Sequence, residues 1–267
     1  MCWRGLSLQY MEPSTGQHLL IQAYEQFSRS NEIHGRVFAW SVLVEAFLMM
    51  RHTQADLDRW IDEGLHLQKI LPADTAPDAA GRFTASFLLA LSLHRPGNPE
   101  IFTLQNRCEN LMHHCTDAHT LSLLGGYLCM SYIWLGQMNR TKTLLKQMQP
   151  PAAQSTPLSV ADLNYFTVLS IFRAMAGEGD AAHRTIEKTL GLYEKLGIHI
   201  YDFPVLAYGA YIGLSSGDHR LSKRYLDRLE TLLSPHAVSD TAQFHHIFAE
   251  TALLMRDWPG VQFHLEN

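Results

Sequence analysis

A chain of 267 residues, 46% hydrophobic and 18% charged, has the make-up of a folded protein and excludes a disordered one. A net charge of −5 with no basic run of five residues excludes electrostatic capture of nucleic acid or an anionic membrane as the chain's own task. The longest apolar run, 39–50, has 12 residues and contains Glu45, too short to span a bilayer.

The four cysteines, Cys2, Cys108, Cys115 and Cys129, are irregularly spaced in a chain too large to need staples, which predicts buried reduced thiols. No secretory leader is evident at the start, so the expected location is the cytoplasm.

In chain order, turn-type breaks fall at Glu12-Pro13, His52-Thr53, 95–98, Gly136-Gln137, Gly179-Asp180, Gly217-Asp218 and Arg256-Asp257. A recurrence of about 40 residues is the signature of stacked helical hairpins. The predicted helices pair as 3–11 with 15–29, 34–50 with 54–70, 78–94 with 99–114, and 118–135 with 138–148. They continue as 158–176 with 181–196, 202–214 with 219–233, and 239–255 with a helix from Trp258.

The sixth pair shows the logic best. Residues 205–214 are apolar or small all round, as in a helix buried on most sides. After the Gly217-Asp218 turn, Leu221, Tyr225, Leu229 and Leu232 recur at helical spacing between charged residues, predicting one buried stripe. Asp202 is expected to cap the helix that carries Pro204 in its first turn. Residues 149–157 read as a shallow joint, yet the repeat resumes at once, so the chain is taken as one unit, 1–267.

No strand-period segment stands out. The expectation is an all-α fold, a right-handed α-solenoid of about seven hairpins. Neither end is polar: Trp3, Leu6 and Leu8 stand at one, Trp258, Val261 and Phe263 at the other. Repeat arrays end in polar caps. The expectation is therefore a segment of something longer, or self-association through uncapped ends.

Chemistry-bearing motifs are scarce. No nucleophile elbow, HExxH, phosphate loop or paired-carboxylate motif is present, so no enzyme and no cofactor are expected. His113, His114, Cys115 and His119 cluster, but Thr116-Asp117 reads as a helix start between them, and no metal site is expected. Glu45 lies in an apolar helix beside Val42, Leu48 and Met49. A buried carboxylate is costly unless paired, so Glu45 either contacts a ligand or is held by an Arg, His or hydroxyl.

Gly136, Gly179 and Gly217, with Thr141 and Ser222 five residues after a turn glycine, resemble a degenerate tetratricopeptide repeat; Arg184 and Phe172 depart from its small-residue positions. With QHLLIQAYEQFSRS at 17–30, LDRWI at 57–61 and GIHIYDFPVLAYGAY at 197–211, the chain resembles the MalT-like helical-repeat region of large ATP-dependent bacterial transcriptional regulators. The resemblance implies a superhelix whose first helices line a concave groove. The groove positions would be Met130 and Ile133, Leu169 and Arg173, Ala207 and Tyr211, His246 and Glu250.

It also implies a sensing or relay module whose partners are nucleotide-binding and DNA-binding domains. The chain carries neither a GxxxxGK[ST] loop nor a helix-turn-helix of its own. A small ligand or a peptide would occupy the groove. The alternative is a free-standing scaffold for peptide segments of a partner protein.

Overall fold

The computed structural model describes residues 1–8, 12–50, 54–149, 159–233 and 238–266. Among these residues there are fourteen α-helices and no strand, so the all-α expectation holds. No helix of the described residues is long and apolar enough to cross a membrane.

The residues fall into two compact units, divided between Tyr165 and Phe166 inside one helix. The expected joint at 149–157 lies outside the described residues except for Gln149, the C-cap of a helix.

Unit 1 holds α1 (Cys2–Leu8), α2 (Pro13–Arg29), α3 (Ile33–Met50), α4 (Gln54–Ile70), α5 (Pro77–His94), α6 (Glu100–Met112), α7 (Ala118–Trp134), α8 (Met138–Met148) and the start of α9 (Val160–Met175). From α1 to α8 each helix packs on the next, and α3, α5 and α7 also pack on one another in a row. The row explains the apolar helices. In α7 every residue from Leu123 to Cys129 is buried, because neighbours cover it on several sides. Trp40 sits at the centre, 5.0 Å from Phe83 and 5.7 Å from Phe87, and its indole N–H donates to the carbonyl of Trp60 at 2.8 Å.

Unit 2 holds the rest of α9 with α10 (Gly179–Leu196), α11 (Asp202–Ser215), α12 (His219–Glu230), α13 (Val238–Met255) and α14 (Trp258–Glu266). From α10 to α14 neighbours pack in chain order, and α11 packs on α13.

The repeat is written in hydrogen bonds. Within each unit, side chains bind partners 37 to 42 residues away. Arg82 reaches Glu45, Asn164 reaches the Ser122 carbonyl at 2.8 Å, and His183 reaches Tyr225 at 2.6 Å.

The turns correct the register in one place. Gly136, Gly177 and Gly217 take the left-handed conformation, and Gly179, the expected turn residue, opens α10 instead. After Gly177 the N–H of Glu178 reaches back to the Arg173 carbonyl at 3.0 Å, as that of Gln137 does to Tyr132 at 2.7 Å. These are the closing bonds of a helix that ends on a left-handed residue.

Counting five residues on from Gly177 gives Ala182, fully buried like Thr141 and Ser222. Arg184 therefore breaks no rule; it is an exposed residue two places further on. Arg256 holds the left-handed position of the next turn, so the four turn residues stand 41, 40 and 39 apart.

Two local expectations are corrected. Asp202 is the first residue of α11 rather than its cap; Tyr201 is the cap residue and makes no side-chain cap bond. In α12 the buried set is Ser222, Tyr225, Leu226 and Leu229, whereas Leu221 is half-buried and Leu232 is 40% exposed. The stripe is rotated by one position because Ser222, not a leucine, sits where α11 comes closest. At the ends Trp3 is 72% exposed and Trp258 64%, and α14 has no buried residue.

Candidate functional site

A cavity of about 670 Å³ opens in unit 1 between α6 and α8. Leu128 and Tyr132, one turn apart on α7, make its floor. Asn139, Arg140, Thr143 and Gln147 line one wall at helical spacing along α8. Glu109, Asn110 and His113 line the other wall, at the end of α6 and its C-cap.

Charges converge on one carboxylate oxygen. The Tyr132 hydroxyl donates to Oε1 of Glu109 at 2.6 Å, and Nη2 of Arg140 donates to the same atom at 2.7 Å. The guanidinium of Arg140 also lies 4.3 Å from the centre of the Tyr132 ring. Burial would raise the Glu109 carboxyl, but the bonds from Tyr132 and Arg140 outweigh it and hold the group below its usual range. Burial, and then Glu109, push the Tyr132 phenol up. The ion pair is thus fixed in its charged form, and the remaining walls offer neutral amides and a hydroxyl. Such a lining holds a polar molecule by several hydrogen bonds.

Residues singled out from the sequence fare unevenly. Glu45 is fully buried in α3. It accepts from Arg82 Nη2 at 2.6 Å on one oxygen and from Ser86 Oγ at 2.6 Å on the other. It has the packing role, held by an Arg and a hydroxyl, and the alternative of a ligand contact is corrected. Met130 is half-buried on α7 and does not line the cavity beside it.

Arg173 is committed within its own hairpin, donating to Thr185 of α10 and pairing with Glu178 at 3.6 Å. His246 and Glu250 are exposed and pair one turn apart at 3.4 Å. Tyr211 joins this group: burial, and then Glu250, raise its phenol, and Gln243 hydrogen-bonds it. Unit 2 therefore brings Tyr211, Gln243 and Glu250 together across α11 and α13. Ile133 and Ala207, expected in the groove, are buried in the core.

Glu109, Tyr132 and Arg140 escaped the sequence reading, because their spacing of 23 and 31 residues follows no helical period. The cysteines are buried and reduced as expected, and burial pushes the thiol of Cys129 up to about 12. Cys115 donates to the Pro77 carbonyl at 3.2 Å. Among the described residues no three His, Cys, Asp or Glu converge to hold a metal.

A second polar feature fastens the last hairpin. Nδ1 of His245 on α13 and Nδ1 of His264 on α14 are 2.8 Å apart, and the His264 ring stacks on Phe248 at 4.0 Å. The bond needs one neutral ring. Burial first, and then His245, pull His264 below its ordinary 6.5, against the opposite pull of Glu230 and Asp257.

A depressed histidine binds its proton more weakly in the folded state than in the unfolded chain. The stability it contributes is therefore full above about pH 6.5 and lost as the pH falls through the depressed value. Trp258 fluorescence titrated from pH 8 to 5 should report loosening of α14 below pH 6.5. His264→Phe, which keeps the stack and removes the proton, should flatten that curve; an unchanged curve would sink the assignment.

No protein-family model matches the chain, and no curated protein matches it either.

Proposed function

We propose that this chain is a ligand-receiving helical-repeat module, a right-handed α-solenoid of about seven hairpins that relays binding to other domains of a cytoplasmic transcriptional regulator. Hydrogen bonds recurring at 37 to 42 residues support the repeat reading. The observation that carries the binding reading is the 670 Å³ cavity over Tyr132, walled by hydrogen-bonding groups and anchored by the Arg140–Glu109 pair. Its ligand is a small polar molecule. Binding would draw α6 and α8 together and change the pitch of the array, and that change is the signal. The partners are nucleotide-binding and DNA-binding domains, in line with the resemblance to MalT-like regions.

The test is a thermal-shift screen of small polar metabolites against the wild type, Asn139→Leu and Thr143→Val. A compound that raises Tm for the wild type and loses about tenfold in affinity in either variant supports the reading, since one hydrogen bond is worth about 1 kcal/mol or more in a desolvated site. If no metabolite acts and peptides instead bind in a way that Glu250→Lys abolishes, the chain is a peptide scaffold and the relay reading falls.

A further inference from the structure

Among the described residues, three clusters combine a tyrosine, a glutamate and an arginine. In the first, Tyr24 donates to Glu63 at 2.5 Å while Arg36 binds both of them. In the second, Tyr132 and Arg140 close on Glu109 at 2.6 and 2.7 Å. Each has one cation and one anion in tight contact.

The third, between α10 and α12 in unit 2, is built differently. Arg228 stands 3.3 and 3.5 Å from the two oxygens of Glu187, well beyond the 2.7–2.9 Å of a good charge-assisted bond. The Tyr225 hydroxyl is in contact with Nδ1 of His183 at 2.6 Å and also hydrogen-bonds Glu187. A second arginine, Arg224, lines the same space and makes no ion pair or hydrogen bond with any described residue. The space is a cavity of about 330 Å³ walled by His183, Glu187, Leu221, Arg224, Tyr225 and Arg228.

Gly209 of α11 fixes its floor. A Cβ there would meet the Tyr225 ring at 2.8 Å, so the missing side chain is what lets Tyr225 lie flat on α11. The cavity thus has a rigid base, since Tyr225 is only 2% exposed, and two guanidinium groups one turn apart beside one carboxylate that Arg228 holds only at long range.

We propose that this cavity is a binding site for a phosphoryl group, Arg224 and Arg228 gripping its oxygens and His183 and Tyr225 closing the base. Two guanidinium forks on adjacent turns present several N–H donors to one centre, which suits a multi-oxygen dianion better than a carboxylate. Glu187 occupies part of the place the anion would take on Arg228, and this gives the site a signature. Removing a carboxylate from a merely structural ion pair weakens the protein, whereas removing it here strengthens anion binding. The site is lined by unit 2 residues alone and stands or falls independently of the α6–α8 cavity.

The experiment is calorimetric titration of the whole chain with inorganic phosphate, with sodium chloride at matched ionic strength, and with a phosphoserine peptide beside its unphosphorylated form. Wild type is expected to bind phosphate saturably and to ignore chloride. Arg224→Gln, an exposed residue whose loss leaves far-UV circular dichroism unchanged, should weaken binding about tenfold, the loss of one charge-assisted bond. Glu187→Gln should tighten it.

Binding of free phosphate in preference to the phosphopeptide assigns the site to a small phosphate ester; the reverse assigns it to a phosphorylated segment. Equal response to chloride and phosphate, or equal affinity in wild type and Arg224→Gln, overturns the proposal.

Discussion

Replacing Arg82 by methionine should destabilise unit 1 by about 3–5 kcal/mol, the usual cost of stranding one member of a buried ion pair. Glu45 is 0% exposed and its pair with Arg82 is 2.6 Å long. In the variant only Ser86 would be left to solvate a carboxylate enclosed by α3 and α5. The double variant Glu45→Leu with Arg82→Met should recover most of the loss. Apolar groups of similar size replace both charges, and the Ser86 hydroxyl, released from Glu45, can donate to the residue-82 carbonyl, 2.9 Å away in the wild type.

Guanidinium unfolding followed by tryptophan fluorescence suits the test, because Trp40 and Trp60 are buried in the same unit. A loss below about 1 kcal/mol in the single variant would mean that water reaches Glu45 and that the pair behaves like a surface one. A double variant as damaged as the single would mean that the pair itself stabilises the unit.

The contrast between what the sequence shows and what it hides follows from range. Helices and their partition into buried and amphipathic types are local patterns, and they were legible. Residues 205–214 announce a helix covered on most sides, and α11 buries Phe203, Val205, Leu206, Ala207 and Ala210. The turn register was nearly legible, but GEGD at 177–180 offers two glycines, and only the backbone tells that Gly177 is the left-handed one. Taking Gly179 shifted that unit by two residues and made Arg184 look anomalous.

Partner choice was not legible at all. That Glu45 needs a partner follows from its apolar helix; that the partner is Arg82, 37 residues away, depends on how α5 packs on α3. The same holds for Glu109, which joins Tyr132 of α7 to Arg140 of α8. The expected groove was only partly recovered because a helix sandwiched in a row has little free surface: Ala207 and Ile133 face neighbours, Met130, Leu169, Arg173 and Tyr211 keep partial exposure, and His246 and Glu250 are exposed.

Two glycines in unit 2 should respond to the same substitution with opposite signs. Both are inside helices, where alanine is intrinsically favoured by about 1 kcal/mol. At Gly191 of α10 an added Cβ meets nothing within 4 Å. Gly191→Ala should therefore show the intrinsic gain, about 0.5–1 kcal/mol of added stability.

At Gly213 of α11 the same methyl would stand 2.3 Å from the backbone nitrogen of Ser222, 2.7 Å from its Cα and 2.9 Å from the Asp218 carbonyl oxygen. Those are backbone atoms of the next helix and its cap, so no rotamer change relieves the contact. α12 must move away, and with it Tyr225, Leu226 and the Ser222–Thr251 hydrogen bond of 2.7 Å to α13. Overpacking of this kind costs about 3 kcal/mol, more than the helical gain returns, so Gly213→Ala should lose about 2 kcal/mol net.

For a unit of this size that is a fall in Tm on the order of 10 °C, beside a rise of a few degrees for Gly191→Ala. Thermal melts by circular dichroism decide it. If Gly213→Ala melts at or above the wild type, α11 and α12 do not approach as closely as Gly213 and Ser222 require. The small-residue position five after each turn glycine would then have lost its physical reason.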